Sequence, residues 1–132
     1  MDTHIWVWLN LGSTELSSKT IELINTSARA GGVFVSAITV WELATLVSKK
    51  RLILQIPITD WITKALGQSG INLLSLSPEV AIESTQLPDG MHGDPADRII
   101  VASARAHQLT LLTRDQKILN YGQSNFVKVM AC

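Results

Sequence analysis

The sequence predicts an α/β domain in which helices cover both faces of a mainly parallel sheet. Short apolar runs alternate along the chain with longer segments of helical periodicity, an order that favours parallel strands joined by helices. No internal repeat or linker interrupts the 132 residues, and a composition that is 46% hydrophobic supplies one core. We therefore expect a single three-layer α/β/α domain spanning residues 1–132.

Four short runs of aliphatic and β-branched residues are the predicted strands. Such runs carry few polar residues, as expected where helices cover both faces of a sheet. The runs are residues 33–36, 71–74, 109–113 and 126–129. In open parallel sheets functional groups gather at the carboxyl ends of the strands, so a site is expected there.

The segments that flank these strands have helical spacing and recognisable ends. The predicted helices are residues 4–9, 18–29, 39–50, 59–69, 78–87, 94–107 and 116–120. The clearest begins with Asp94 as N-cap and Pro95 at the first helical position. Ser17 or Ser18 caps the helix that ends before Gly31.

Composition excludes several classes of protein. No apolar stretch approaches the ~20 residues that span a bilayer, and the N-terminus lacks the basic region of a signal peptide. Cys132 is the single cysteine, which excludes a disulfide framework and suits a reducing cytosol, so we expect a cytoplasmic protein without a membrane partner. The formal net charge is zero, yet a cation bound by several acids would leave the remaining surface basic enough for a polyanion.

Four acids lie where this topology places functional groups. Asp2, Glu42, Asp97 and Asp115 are each near a predicted helix start, and parallel strands bring several such starts to one edge. Converging carboxylates repel one another unless a cation lies among them, and oxygen ligands select Mg²⁺ or Mn²⁺. Such an ion activates water for attack on a phosphodiester, which is the chemistry of a nuclease.

Four segments, in order, resemble the motifs of PIN-domain ribonucleases, in particular the VapC-type toxins of toxin–antitoxin pairs. They are MDTHIWVWL at residues 1–9, SAITVWELA at 36–44, HGDPADRIIVASA at 92–104 and LLTRD at 111–115. Each motif is weak alone, but together they span nearly the whole chain.

The resemblance implies a role for each acid. The catalytic and metal-binding residues would be Asp2, Glu42, Asp97 and Asp115, with Mg²⁺ or Mn²⁺ as the cofactor. Asp94 would be accessory, and so would Thr113, whose hydroxyl would line the site. The family further implies an endoribonuclease with an RNA substrate, a VapB-type antitoxin as partner, and a homodimer.

The sequence departs from the family pattern in two places, and the first leaves open an alternative function, a catalytically weak or inactive PIN-like binding module. Members usually carry several apolar residues before the first Asp, whereas only Met1 precedes Asp2. Members also often have a lysine four residues after the second-motif Glu, where this chain has Leu46. A receiver domain or a haloacid-dehalogenase phosphatase is disfavoured, because neither the adjacent acids of the first nor the Asp-x-Asp of the second is present near the N-terminus.

Several residues also have a purely structural interpretation. Asp94 and Asp115 are placed to cap helices whatever their function. Arg98 and Arg114 can bind phosphate or pair with the carboxylates. The tryptophans Trp6, Trp8 and Trp41 can stack on RNA bases, although their apolar neighbours favour packing.

Overall fold

The computed structural model describes residues 1–88 and 90–132, and within them the chain forms seven helices and four strands. In chain order the elements are α1 (Thr3–Leu11), α2 (Ser18–Arg29), β1 (Val33–Ser36), α3 (Ala37–Ser48), α4 (Ile58–Leu66), β2 (Ile71–Leu74), α5 (Pro78–Thr85), α6 (Pro95–Ala106), β3 (Leu111–Thr113), α7 (Gln116–Gly122) and β4 (Val129–Ala131). The predicted α/β class and the alternation of helices and strands are confirmed.

The strands pair in parallel, but they form two ladders where the sequence predicted one sheet. β1 pairs with β2 from Val33 opposite Ile71 onward, and β3 pairs with β4 from Leu111 opposite Val129 onward. Between the two ladders lies the N-terminus, whose backbone contacts both. Met1 and Asp2 bridge the two ladders through one hydrogen bond to each, to Phe34 of β1 and to Leu112 of β3.

The last strand begins three residues later than the sequence predicted. The apolar run at 126–129 is split, because Val127 is buried in a hydrophobic cluster instead of pairing with a strand. Pairing starts only at Lys128, whose carbonyl accepts from the Leu111 N–H at 2.8 Å. The predicted strand at 109–113 is likewise shorter, since β3 starts at Leu111.

Local sequence signals account for most of the helix ends. The Ser17 side chain accepts from the Thr20 N–H and caps α2, and the Ser36 side chain accepts from the Ile38 N–H and starts α3 two residues before the predicted position. Among the described residues, no helix has the length and apolarity needed to cross a membrane.

The core consists of three adjoining hydrophobic clusters. One joins α1, β1, α3 and α4, and at its centre the fully buried Trp6 meets Trp61 edge-on, with ring centroids 5.2 Å apart. A second lies between α6, β3 and α7, and a third joins α1, α2 and β1. These clusters hold the first residues of α1, α3 and α6 near the carboxyl ends of β1 and β3.

Candidate active site

The first predicted site residue, Asp2, is buried at the carboxyl end of β3. Its backbone N–H donates to the Leu112 carbonyl at 3.0 Å, and its side chain is covered, with only 5% of the residue exposed. The Thr113 hydroxyl donates to Asp2 Oδ2 at 2.6 Å and accepts from the Asp115 N–H at 3.0 Å. Thr113 therefore connects two of the predicted ligands, although the metal-site role predicted for them stays untested.

Glu42 faces the same region from α3. The Thr3 hydroxyl donates to Glu42 Oε1 at 2.6 Å and lies 3.1 Å from the hydroxyl of Thr39. Burial raises the pKa of Glu42, the bond from Thr3 opposes that shift, and the nearby charges of Asp2 and Asp94 add to it. The carboxylate is thus held in place by a buried hydroxyl pair while it bears unfavourable negative neighbours.

Asp97 is the acid on which the others converge. It lies in the first turn of α6, and the pKa of its carboxyl group is raised to about 7. Burial is the largest cause, and the negative charges of the four other predicted acids follow in the order Asp94, Asp2, Asp115 and Glu42. The other four acids named by the sequence are therefore close enough to act on the carboxyl group of Asp97.

Asp94 and Asp115 both cap helices. Asp94 Oδ1 accepts from the Asp97 N–H at 3.0 Å, and Asp115 Oδ1 accepts from the N–H groups of Lys117 and Ile118 at 2.7 and 3.0 Å. The structural interpretation is therefore confirmed for both residues. It does not remove them from the site, because each raises the pKa of Asp97.

The two arginines beside the predicted ligands point elsewhere. Arg98 Nε donates to the Ser84 carbonyl at 2.9 Å and its Nη1 to the Met91 carbonyl at 3.2 Å, so it fastens the segment before α6 to α5. Arg114 Nη1 pairs with Glu15 Oε2 at 2.6 Å, and its guanidinium lies 5.0 Å from the ring centre of Trp8. Neither arginine pairs with a predicted metal ligand. Of the two roles that the sequence left open for them, pairing with the carboxylates is therefore wrong.

Three further residues belong to the site and had not been assigned to it from the sequence. Thr3 donates to Glu42, the Thr39 hydroxyl lies against that of Thr3, and His92 places its Nε2 atom 3.3 Å from Asp97 Oδ2. The spacing of Thr39 and Glu42, three residues apart on one helix, was a usable signal, because such residues share a helix face. For His92 the signal is the glycine-rich sequence around it, which indicates a loop that can border the site, and its position depends on the segment anchored by Arg98.

The donor set fits a hard divalent cation chemically. The oxygens belong to threonine hydroxyls and to carboxylates, of which that of Asp2 is buried and those of Glu42, Asp97 and Asp115 are half-buried. Burial and then the charges of the neighbouring acids raise the pKa of Asp97. Across residues 1–88 and 90–132, however, no three His, Cys, Asp or Glu side chains already converge on one point as ligands. Several of these carboxylates accept a protein hydrogen bond on one oxygen, which leaves the other oxygen to bind an ion.

Comparison with known proteins identifies the family of this chain and a structure of similar fold. A family model described as PIN domain matches residues 1–123. Ribonuclease VapC22 of Mycobacterium tuberculosis (strain ATCC 25618 / H37Rv) is 31% identical over 121 residues, which are 92% of this chain and 89% of that protein. In the crystal structure of VapBC2 from Rickettsia felis bound to a DNA fragment from their promoter, one chain matches with a TM-score of 0.73 at 16% identity, over 98% of this chain and 95% of that one. The last of these likenesses concerns the fold alone.

Proposed function

Since the chain belongs to the PIN domain family, we propose that it is a metal-dependent endoribonuclease and the toxin of a type II VapBC-like toxin–antitoxin pair. The observation that carries the proposal is geometric: the buried Asp2 is joined to Asp115 through Thr113, and both lie with Glu42 and Asp94 near Asp97 at the carboxyl ends of β1 and β3. An arrangement so unfavourable to the apo protein is explained by a cation that the site binds.

We assign the ion to Asp2, Glu42, Asp97 and Asp115. A Mg²⁺ or Mn²⁺ ion bound there supplies a Lewis acid for a phosphodiester and a means of activating water. Thr113 holds Asp2, and Thr3 holds Glu42, each through a 2.6 Å hydrogen bond that limits the rotation of the carboxylate. Asp94 is accessory through its cap on α6 and its charge. Hydrolysis is expected to leave 5′-phosphate and 3′-hydroxyl ends.

The proposal includes partners and a location. VapC22 bears the name ribonuclease, and the structurally similar VapBC2 is bound to a promoter DNA fragment. By analogy we propose an RNA substrate, a VapB-type antitoxin and a cytoplasmic homodimer for this chain. Trp41, which is 60% exposed and directly precedes Glu42, is the aromatic side chain best placed to stack on an RNA base.

Replacement of the central acids tests the activity. Asp97→Asn and Glu42→Gln are expected to lower cleavage of total RNA from the host at least about a thousandfold and to abolish growth arrest, because each removes a charge needed to bind the ion. Glu22→Gln, which changes an exposed acid on α2, is the matched control and should cleave like the parent. Circular dichroism checks that all three variants fold.

Calorimetric titration with Mn²⁺ separates the proposed nuclease from the alternative, an inactive binding module. If the chain is the nuclease, the parent protein should give a saturable signal that Asp97→Asn and Glu42→Gln lose. A parent that neither binds Mn²⁺ nor cleaves RNA, although correctly folded, would favour the binding module. Cleavage that persists in clean preparations of both variants would overturn the assignment of the site.

A further inference from the structure

The imidazole of His92 lies against Asp97 at the edge of the candidate site. Its Nε2 atom is 3.3 Å from Asp97 Oδ2, and the side chains of both residues are 21% exposed. The Nε2 atom itself is covered from solvent, and among the residues that the structure describes it has no partner in hydrogen-bonding geometry. A covered polar atom without a partner costs free energy, so native proteins rarely keep one unless it has a use.

The other ring nitrogen of His92 determines which atom carries the proton. The Asp94 N–H donates to His92 Nδ1 at 3.3 Å. A ring nitrogen that accepts a hydrogen bond carries no proton, so the proton of the neutral ring is on Nε2. His92 therefore presents a donor, and not a lone pair, to the carboxylate of Asp97.

Arg98 holds the backbone of the segment that carries His92. Its Nη1 donates to the carbonyls of Met91 and His92 at 3.2 and 3.4 Å, and its Nε donates to the Ser84 carbonyl at 2.9 Å. Arg98 directly follows Asp97 on α6, so one turn of this helix carries the carboxylate and also fixes the residue that faces it. The imidazole is thus held at its backbone as well as at its ring.

Two other acids of the site are each held by a single donor. Asp2 accepts on Oδ2 from Thr113, and Glu42 accepts on Oε1 from Thr3, in both cases from a hydroxyl at 2.6 Å. A donor on one oxygen restricts the rotation of a carboxylate and keeps its other oxygen for a cation. His92 is the group in the corresponding place beside Asp97.

We propose that His92 is a positioning residue for the metal site, and that its Nε2–H donates to Asp97 Oδ2 when that carboxylate binds an ion. The inference rests on the proposed function, because it concerns the ion assigned to this site. An ionised carboxylate is a strong acceptor for such a donor. Partners that orient a metal-binding carboxylate typically change metal affinity by a factor of about 10 to 100.

Two substitutions separate the donor of His92 from its place in the loop. His92→Gln keeps an N–H near the position of Nε2, whereas His92→Asn can keep the bond from the Asp94 N–H but is too short to reach Asp97. In calorimetric titration with Mn²⁺, the Kd should rise about tenfold or more in His92→Asn and stay within about threefold of the parent value in His92→Gln. If His92 only held the loop, His92→Asn would be the milder change.

Arg98 is expected to act on the ion through His92. Arg98→Lys keeps the positive charge but cannot make all three backbone bonds, so it should also raise the Kd for Mn²⁺. The double variant Arg98→Lys/His92→Asn should then bind Mn²⁺ no more weakly than His92→Asn, because the two residues act as one unit. Losses that multiply would overturn the part assigned to Arg98.

Nuclear magnetic resonance tests the bond in the parent protein without any substitution. With ¹⁵N-labelled histidine, the proton on His92 Nε2 should exchange with water about tenfold or more slowly at saturating Mg²⁺ than in EDTA, because a hydrogen bond protects it. This readout depends on neither catalysis nor the folding of a variant.

Three results would overturn the inference. Equal Mn²⁺ affinity in the parent and in His92→Asn would leave the proposed metal site in place but remove His92 from it. A proton found on Nδ1 in the Mg²⁺-loaded protein would show that Nε2 binds the ion directly. A folded parent that binds no Mn²⁺ would overturn the proposed function itself, and the inference with it.

Discussion

At the scale of single residues, Asp97 is the group whose ionisation depends most on its surroundings. Its side chain is 21% exposed, so water relieves only part of the repulsion from the neighbouring acids. The pKa of its carboxyl group is about 7 in the folded apo protein and near 3.8 in the unfolded chain. Between about pH 4 and pH 7 the folded protein therefore binds a proton at Asp97 that the unfolded chain has released. Function and stability are therefore opposed at this position.

The raised pKa of Asp97 gives a signed prediction for stability. Its folded-state value exceeds the unfolded one, so its favourable contribution is complete below about pH 4 and is lost as the pH rises towards 7. With EDTA present, Asp97→Asn should exceed the parent in free energy of unfolding by on the order of 2 kcal/mol at pH 8. At pH 4 the two should be nearly equal, as measured by urea unfolding.

The metal provides the control for this prediction. Mg²⁺ or Mn²⁺ should stabilise the parent at pH 8 by binding its folded state and should leave Asp97→Asn nearly unchanged. If the parent and Asp97→Asn differed in free energy of unfolding by the same amount at both pH values, charge repulsion would not be the origin of the difference.

At the scale of elements, the sequence predicted α2, β1 and β2 to the residue and the ends of α6 to within one residue. The sequence predicted α6 at 94–107, and the helix is Pro95–Ala106 with Asp94 as its cap. A cap, a proline at the first position and a helical repeat all act within a few residues, so they can be read without the fold. β4 depends on where β3 offers hydrogen bonds, and its predicted position was wrong.

The cap on α6 can be separated from the charge of the residue that forms it. Asp94→Ala removes the oxygen that accepts from the Asp97 N–H and should lower the free energy of unfolding by about 1 kcal/mol. Asp94→Asn keeps an accepting oxygen but removes a charge that raises the pKa of Asp97, so at pH 8 it should be at least as stable as the parent. Thermal unfolding in EDTA measures both, and equal losses in the two variants would contradict the assigned cap.

At the scale of the whole molecule, the packing of α2 on the sheet depends on one glycine. Gly70, just before β2, has a φ of +81°, and a Cβ atom there would lie only 1.9 Å from the backbone oxygen of Ala28. Neither feature is evident from the sequence around Gly70, because Ala28 is distant along the chain. The close approach joins the end of α2 to the start of β2.

A pair of glycine substitutions measures this contact. Gly70→Ala should cost about 3 kcal/mol or more in free energy of unfolding, because α2 must move away from β2 in addition to the backbone strain. Gly31→Ala is the matched control, since Gly31 also has a positive φ, of +70°, but has nothing within 4 Å of the added Cβ. It should cost only about 1 kcal/mol. Equal losses by chemical denaturation would show that strain alone determines the effect.

The sequence by itself determined the α/β class, the helix caps, and Asp97 with the four acids around it, because each follows from residue type, spacing and chain order. Only the tertiary structure decided which groups those acids contact. In the folded structure Thr3 donates to Glu42 and Thr113 donates to Asp2. Arg98 and Arg114 bond to groups other than the carboxylates, and a cavity lies between the two ladders. These features depend on contacts between residues far apart in the chain, which local pattern does not encode.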